Sequence, residues 1–264
     1  MTKPFTSAST PEGKVRKRRA HNAPPAIDTH ARVPQATKNS EVVYRDLRSA
    51  IIAMELVPGT PIVEKELTQR YGISRTPVRE AVLKLAEDRL VDVVPKSGTF
   101  VARIPLSVLR EALVARRALE EVTVRAATAR ASKSQIMQLR AIIQLQQEMA
   151  DAGDDKSFHR ADEEFHTTIA AVGRFPGIWD MIQQIRIQVE RYRRLTLPYK
   201  GRMQMVVDEH KAVLDAISSG DADQAARRMH EHLNKLQLDI AVFRDLAPEY
   251  FIYDPALDDD LLTD

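Results

Sequence analysis

Seven histidines and no cysteine frame the metal and acid–base chemistry open to this 264-residue chain. Asp162 and His166 lie four residues apart in ADEEFHTTIA, so on a helix both project from one face. His210 in DEHKAVL and His232 in RRMHEHL follow on later segments. His232 shares a helical face with Met229 and Leu236, which turns it inward, whereas His230 and His159 are expected in solvent. Where three helices converge, Asp162, His166, His210 and His232 offer three imidazoles and one carboxylate. That set suits a divalent metal ion such as Zn, Ni or Mn, and octahedral geometry would leave two positions for water or an oxygen ligand. Spacing alone does not require it. No compact motif such as HExxH is present, and scattered histidines in a bundle are more often at the surface or singly buried. Without cysteine there is no disulfide, thiolate site or Cys nucleophile.

A second group is cationic. In YGISRTPVREAVLKLAE, residues 71–87, Arg75 and Arg79 stand four apart at the start of a helical pattern. Val78, Val82 and Leu85 recur on the other side and are expected to be buried. Arg donates two bonds from a fixed fork that matches guanine O6 and N7 in the major groove, and a helix N-terminus itself attracts phosphate. Two arginines alone are more often a solvated face, so the surrounding elements decide.

EVVYRDLRSAIIAM, residues 41–54, places Val43, Leu47, Ile51 and Met54 at helical spacing, and Pro58-Gly59 ends it. VEKELTQRY predicts a short helix with Val63, Leu67 and Tyr71 inward and Gly72 just past its end. Ser74 or Thr76 can cap the third helix, whose first turn tolerates Pro77 because those N–H groups have no intrahelical partner. RLVDVVPKSGTFVARI predicts two strands around a turn at Pro95–Gly98. Helix, helix, tight turn, helix, hairpin is the order of a winged helix-turn-helix, whose third helix enters the major groove. The wing at Lys96-Ser97-Gly98 can approach DNA backbone or minor groove, because Gly98 has no side chain in the way.

From Ser107 to Phe243 the pattern is helical, in segments near 107–130, 133–152, 155–172, 176–197, 201–218 and 222–244. Breaks fall at Ala131-Ser132, Gly153, Gly173, Pro198 and Gly220-Asp221, with Asp221 a candidate N-cap. Short connections predict an antiparallel all-α bundle. Met137, Met149, Met181, Met205 and Met229 are read as core filler, as are Phe175 and Trp179. The expected fold is therefore mainly α, a winged helix-turn-helix with a small hairpin followed by the bundle.

Charged residues at 29% and hydrophobic residues at 44% suit a globular protein, and the net charge of +2 hides a polarity. Residues 1–39 are basic and rich in Pro, Ala, Ser and Thr, and are expected to be a disordered arm: a solvated tail, or a strand of cations touching DNA phosphates. The winged domain is expected over 40–104, an effector-binding and dimerisation domain over 105–245, and an acidic tail over 246–264. No apolar run is long enough to span a bilayer, and the N-terminal segment lacks the apolar stretch of a secretory signal. A cytoplasmic protein, nucleoid-associated when bound to DNA, is the expectation.

VPGTPIVEKELTQRYGISRTPVREAVLKLAEDRLVDVVPKSGTFVARI resembles, along its whole length, the DNA-binding domain of the GntR family of bacterial transcription regulators. The match lies in Pro58-Gly59, Glu64 to Leu67, Gly72 to Ala81 and Gly98-Thr99-Phe100-Val101. The resemblance implies DNA contacts from Lys65, Ser74, Arg75, Thr76, Arg79 and Gly98, to which the wing reading adds Lys96. One departure is Arg89, where many members have glycine; a strained backbone or a different turn is expected there. DEEFHTTIA and then EHKAVLDAISSGDADQAARRMHEHL are similar to the FCD effector domain of the FadR-like branch. That resemblance implies a divalent metal ion on Asp162, His166, His210 and His232, and an effector arginine at Arg116 in ARRALEE. In ERYRRLTL a second cation is expected from Arg191, Arg193 or Arg194, with Arg194 chosen; for two of the three a solvated basic face is the competing reading.

The expected function is a ligand-responsive, DNA-binding transcription regulator, a repressor working as a homodimer on a short palindromic operator in double-stranded DNA. Its operator binding would be modulated by a small carboxylate in a metal-containing helical domain. The alternatives are a regulator with a purely structural metal and a metal-dependent hydrolase built on the bundle.

Overall fold

The computed structural model describes residues 35–238 and 240–253. Of the arm foreseen over 1–39, the part to residue 34 lies outside the described residues, as does the acidic stretch from 254, whereas residues 35–39 are not disordered but form the start of the first helix. Among the described residues, no helix is long and apolar enough to cross a membrane.

The chain opens with α1 (Gln35–Ile52), α2 (Glu64–Tyr71) and α3 (Arg75–Glu87), followed by β1 (Val91–Val94) and β2 (Gly98–Val101). Val43, Leu47 and Ile51 of α1 pack with Leu67, Val78, Val82, Leu85, Leu90 and Val101 in one apolar core. Gly72 ends α2 in the left-handed region at φ 63°, with its N–H on Thr68 O, a conformation that costs glycine least. Ser74 is extended at the N-cap of α3, without a capping bond from its side chain. The hairpin is antiparallel, with Val91 opposite Val101 and Val94 opposite Gly98. Arg89 sits at φ 56°, the strained backbone expected where the glycine is missing. Val63 was expected inward and is not: it precedes α2 as its N-cap, and its side chain is 40% exposed.

The linker strand β3 (Ile104–Pro105) leads into α4 (Leu106–Arg130), α5 (Lys133–Ala152), α6 (Asp155–Val172), α7 (Pro176–Ile185), α8 (Ile187–Thr196), α9 (Arg202–Ser219) and α10 (Ala222–Leu238). Ser132 closes a capping box with Gln135, Asp154 accepts from Ser157 N–H, and Asp221 accepts from Gln224 N–H at 2.9 Å. α4 packs against α6 and α10, and α5 against α6 and α9. Between them lie Leu139, Ile143, Phe158, Phe165, Ile169, Val213 and Leu233. α1 touches α8, and Ile187 of α8 packs on the winged core.

Several expectations need correction. The helix foreseen over 176–197 is two, α7 and α8, divided at Arg186. The buried Arg186 guanidinium is drawn to Glu163 at 2.5 Å and Glu190 at 3.4 Å, and its carbon lies 5.3 Å from the Trp179 ring centroid. Of the methionines read as filler, Met229 is buried, but Met137 and Met181 are 59% and 57% exposed on outward faces. Trp179 is buried, whereas Phe175 is exposed beneath the Arg130 guanidinium. The tail foreseen from 246 is folded through Tyr253. After α11 (Ile240–Leu246) and a 3-10 turn at Pro248–Tyr250, β4 (Phe251–Ile252) pairs in parallel with β3. Phe251 is buried beside Ile104, Leu109, Tyr192 and Ile240, which gives that segment an apolar anchor.

Candidate metal centre and nucleic-acid interface

α6 supplies Asp162 and His166, α9 supplies His210 and α10 supplies His232, all four buried. His210 Nε2 and His232 Nε2 are 3.3 Å apart. Asp162 Oδ1 is 3.8 Å from His210 Nε2, and Asp162 Oδ2 is 3.9 Å from His166 Nε2. One ligand atom from each of the three histidines falls within 4.8 Å of the others.

The orientation of each ring has a definite cause. His166 Nδ1 meets Glu120, His210 Nδ1 lies 2.9 Å from Gln146 Oε1, and His232 Nδ1 lies 2.7 Å from Glu209 Oε2. The Gln146 amide is itself fixed, because its Nε2 donates to Ala161 O at 3.1 Å. All three partners present acceptor oxygens, so each Nδ1 carries the proton and each Nε2 keeps its lone pair. The Phe165 ring stacks on His210 at 4.0 Å between centroids.

The charges agree with this arrangement. Burial alone would push the Asp162 carboxyl up, but Arg193, with Nη2 2.6 Å from Oδ2, and then the histidines hold it well below the usual range. Burial is likewise outweighed at Glu120, first by Arg116 and then by His166, which bring it down to about 2. His166 and His210 are both lowered, mainly by burial, which favours their neutral imidazole forms. Asp162 Oδ1 and His166 Nε2 are buried acceptors without a hydrogen-bond partner among the described residues. Such atoms are costly to leave unsatisfied. Three imidazoles and an ionised carboxylate converging at this spacing fit a divalent transition metal.

Arg116 is 1% exposed; its Nε donates to Glu120 Oε1 at 2.5 Å, and its Nη2 is buried without a hydrogen-bond partner. Of the three cations of α8, Arg193 reaches Asp162. Arg191 donates to Ala102 O, and Arg194, the one chosen from the sequence, lies 3.7 Å from Glu190 and lines a cleft with Arg48 and Arg186. His159, expected in solvent, is 1% exposed because α8 covers it with Glu190. His230 is exposed, as expected. The sequence reading missed Glu120, Gln146 and Glu209. Glu120 follows Arg116 by one turn and Glu209 adjoins His210, which are usable signals; nothing local marks Gln146.

On the winged part, Lys65, Ser74, Arg75, Thr76, Arg79, Lys96 and Gly98 are all exposed, while Pro77, Val78, Ala81, Val82 and Leu85 bury the opposite face of α3. The wing turns through Lys96 at φ 65° and Gly98 at φ 127°.

Comparison with known proteins matches two family descriptions. "Bacterial regulatory proteins, gntR family" covers residues 39–101, and "FCD domain" covers residues 111–235. An HTH-type transcriptional regulator in an unstable DNA locus of Streptomyces ambofaciens is 32% identical over 218 residues, 83% of this chain and 92% of that protein. The HTH-type transcriptional repressor RspR of Escherichia coli K12 is 29% identical over 212 residues, 80% of this chain and 93% of its own. A crystal structure of a GntR transcriptional regulator from Rhodococcus sp. RHA1 superposes with a TM-score of 0.63 at 23% identity, covering 78% of this chain and 99% of that one; it is similar in fold.

Proposed function

The chain belongs to the GntR family of bacterial regulatory proteins, in the branch that carries an FCD domain, and we propose that it is a repressor whose operator binding is set by a small organic acid bound beside a divalent metal ion. It is a DNA-binding transcriptional regulator, and its family and relatives are regulators rather than enzymes. In this reading Arg75 and Arg79 address guanine edges, while Lys65, Ser74, Thr76, Lys96 and Gly98 fix the domain on the backbone. Two copies dock as a symmetric homodimer on the half-sites of a short palindrome.

Asp162, His166, His210 and His232 would hold the metal, Zn, Ni or Mn, which when bound supplies a Lewis-acidic anchor for a carboxylate oxygen. Glu120, Gln146 and Glu209 keep the imidazole lone pairs turned inward. Arg116 offers its unpartnered Nη2 to the acid, and Arg193 is the second cation in place of Arg194. The acid weakens operator binding only by as much as it prefers the arrangement that misplaces the winged domains.

The observation that supports this best is the set of three inward Nε2 atoms, each held by an acceptor on Nδ1, next to a buried guanidinium with a free donor. Thermal melting of the zinc-loaded protein against mono-, di- and hydroxycarboxylates tests it. An acid at a hundred times its Kd adds about 2.7 kcal/mol of stability. That shift is expected to vanish on chelation and in Arg116→Ala. Bound metal with no response to any acid would overturn the sensing role and leave the metal structural.

A further inference from the structure

The four candidate ligands are between 0% and 5% exposed, so a cation needs a way through the bundle to reach them. A cavity of about 560 Å3 opens between α9 and α10, lined among others by Met205, Glu209, Ala212, His232 and Lys235. Of the four ligands, His232 is the one on its wall. Polar groups then follow one another inward. Lys235 Nζ is 2.6 Å from Glu209 Oε1, Glu209 Oε2 is 2.7 Å from His232 Nδ1, and His232 Nε2 is 3.3 Å from His210 Nε2. The Lys235 side chain is 43% exposed and that of Glu209 is 13% exposed, so the ammonium is the outer group and the carboxylate the inner one.

The other acids of this mouth face elsewhere. Asp208 takes Gln204 Nε2 at 3.0 Å and Lys211 at 3.5 Å, and Glu231 pairs with Arg228 at 2.9 Å. Glu209 is thus the carboxylate that joins the cavity to a candidate ligand imidazole, and its Oε1 is masked by the half-exposed Lys235 ammonium.

Resting on the metal centre proposed above, we propose that the α9–α10 cavity is the loading route for the divalent cation, and that Glu209, masked by Lys235, is the carboxylate on which it first lands. An ammonium and a dication compete for the same oxygen, and their mutual repulsion keeps the second out while the first is in place. Lys235 leaves by swinging into solvent, where its charge is hydrated. The cation then holds to Glu209 as it sheds water and passes to His232 and the inner ligands. Because Lys235 guards a path and is not a ligand, it governs how fast metal exchanges and not how tightly it is held.

Zinc transfer between the full-length protein and a chromophoric chelator, followed by stopped flow, tests this alongside equilibrium competition with the same chelator. Lys235→Ala is expected to speed loading and release by a similar factor, about tenfold, with the Kd nearly unchanged. Ala212→Phe, which narrows the cavity at a residue that is not itself a candidate ligand, is expected to slow both. Unchanged rates in both folded variants, with wild-type affinity, would place the route elsewhere and overturn the proposal while leaving the centre intact. Failure of the wild-type protein to bind zinc stoichiometrically would remove the centre and the route with it.

Discussion

His159 and Glu120 lie one layer out from the ligand set, and both tie folding to pH in the same direction. Burial, then Arg193 and Arg194, lower His159 from 6.5 to about 2. The unfolded chain therefore takes up a proton as pH falls through 6.5 while the folded chain does not, and stability is lost below that value. Glu120, lowered from 4.5 to about 2, adds stability that is present above 4.5 and lost as pH falls toward 2. The urea midpoint of chelator-stripped protein is thus expected to be lower at pH 5 than at pH 7, with a flatter dependence in His159→Leu; a higher midpoint at pH 5 would contradict the buried placement of His159. On the winged part, Arg75→Ala or Arg79→Ala is expected to cost about 1–3 kcal/mol of operator binding and to relax base preference. Titration of each variant against altered operators measures both, and weaker binding with unaltered preference would make these arginines phosphate contacts. At this scale the clustering of Asp162, His166, His210 and His232 was legible because Asp162 and His166 share one helical face and the two later histidines lie in matching motifs. The burial of His159 was not, because the covering helix lies far along the chain.

α4 and α6 come close together where α6 ends. A Cβ on Gly173 would lie 2.8 Å from Thr123 O and 3.2 Å from Ala126 Cβ of α4, although its backbone is ordinary helical. Gly173→Ala is therefore expected to push α4 and α6 apart at a cost of about 1–3 kcal/mol, read from urea denaturation. An unchanged midpoint would mean that the two helices have room to spare. From the sequence, Gly173 is a helix break like Gly153 or Gly220, and its spelling does not separate a turn from a close approach. Most helix limits were legible through caps and glycines. The division of α7 from α8 was not, because Arg186 looks helical locally and no glycine or proline marks a break there.

Across the whole molecule, the parallel pairing of β3 with β4 joins the linker to the end of the bundle. Arg191 adds a hold on Ala102 O from α8 at 2.5 Å. Deleting residues 248–264 removes the Phe251 anchor and the strand pairing, so trypsin is expected to cut after the exposed Arg103 about tenfold faster or more. An unaltered rate of cutting there would show that α8 alone suffices. A two-residue strand within an acidic ending has no pattern of its own to read, since its partner lies on the far side of the bundle sequence. The pairing also bears on how the protein is made. The winged part leaves the ribosome before the bundle and can fold early, as domains do during synthesis. Its linker, however, waits until Phe251 and Ile252, beyond the whole bundle, are translated before β3 gains its partner. A nascent chain that has not yet reached Ile252 would therefore hold a reading head without a fixed mount, and the two parts would be joined through β3 only once that strand has emerged.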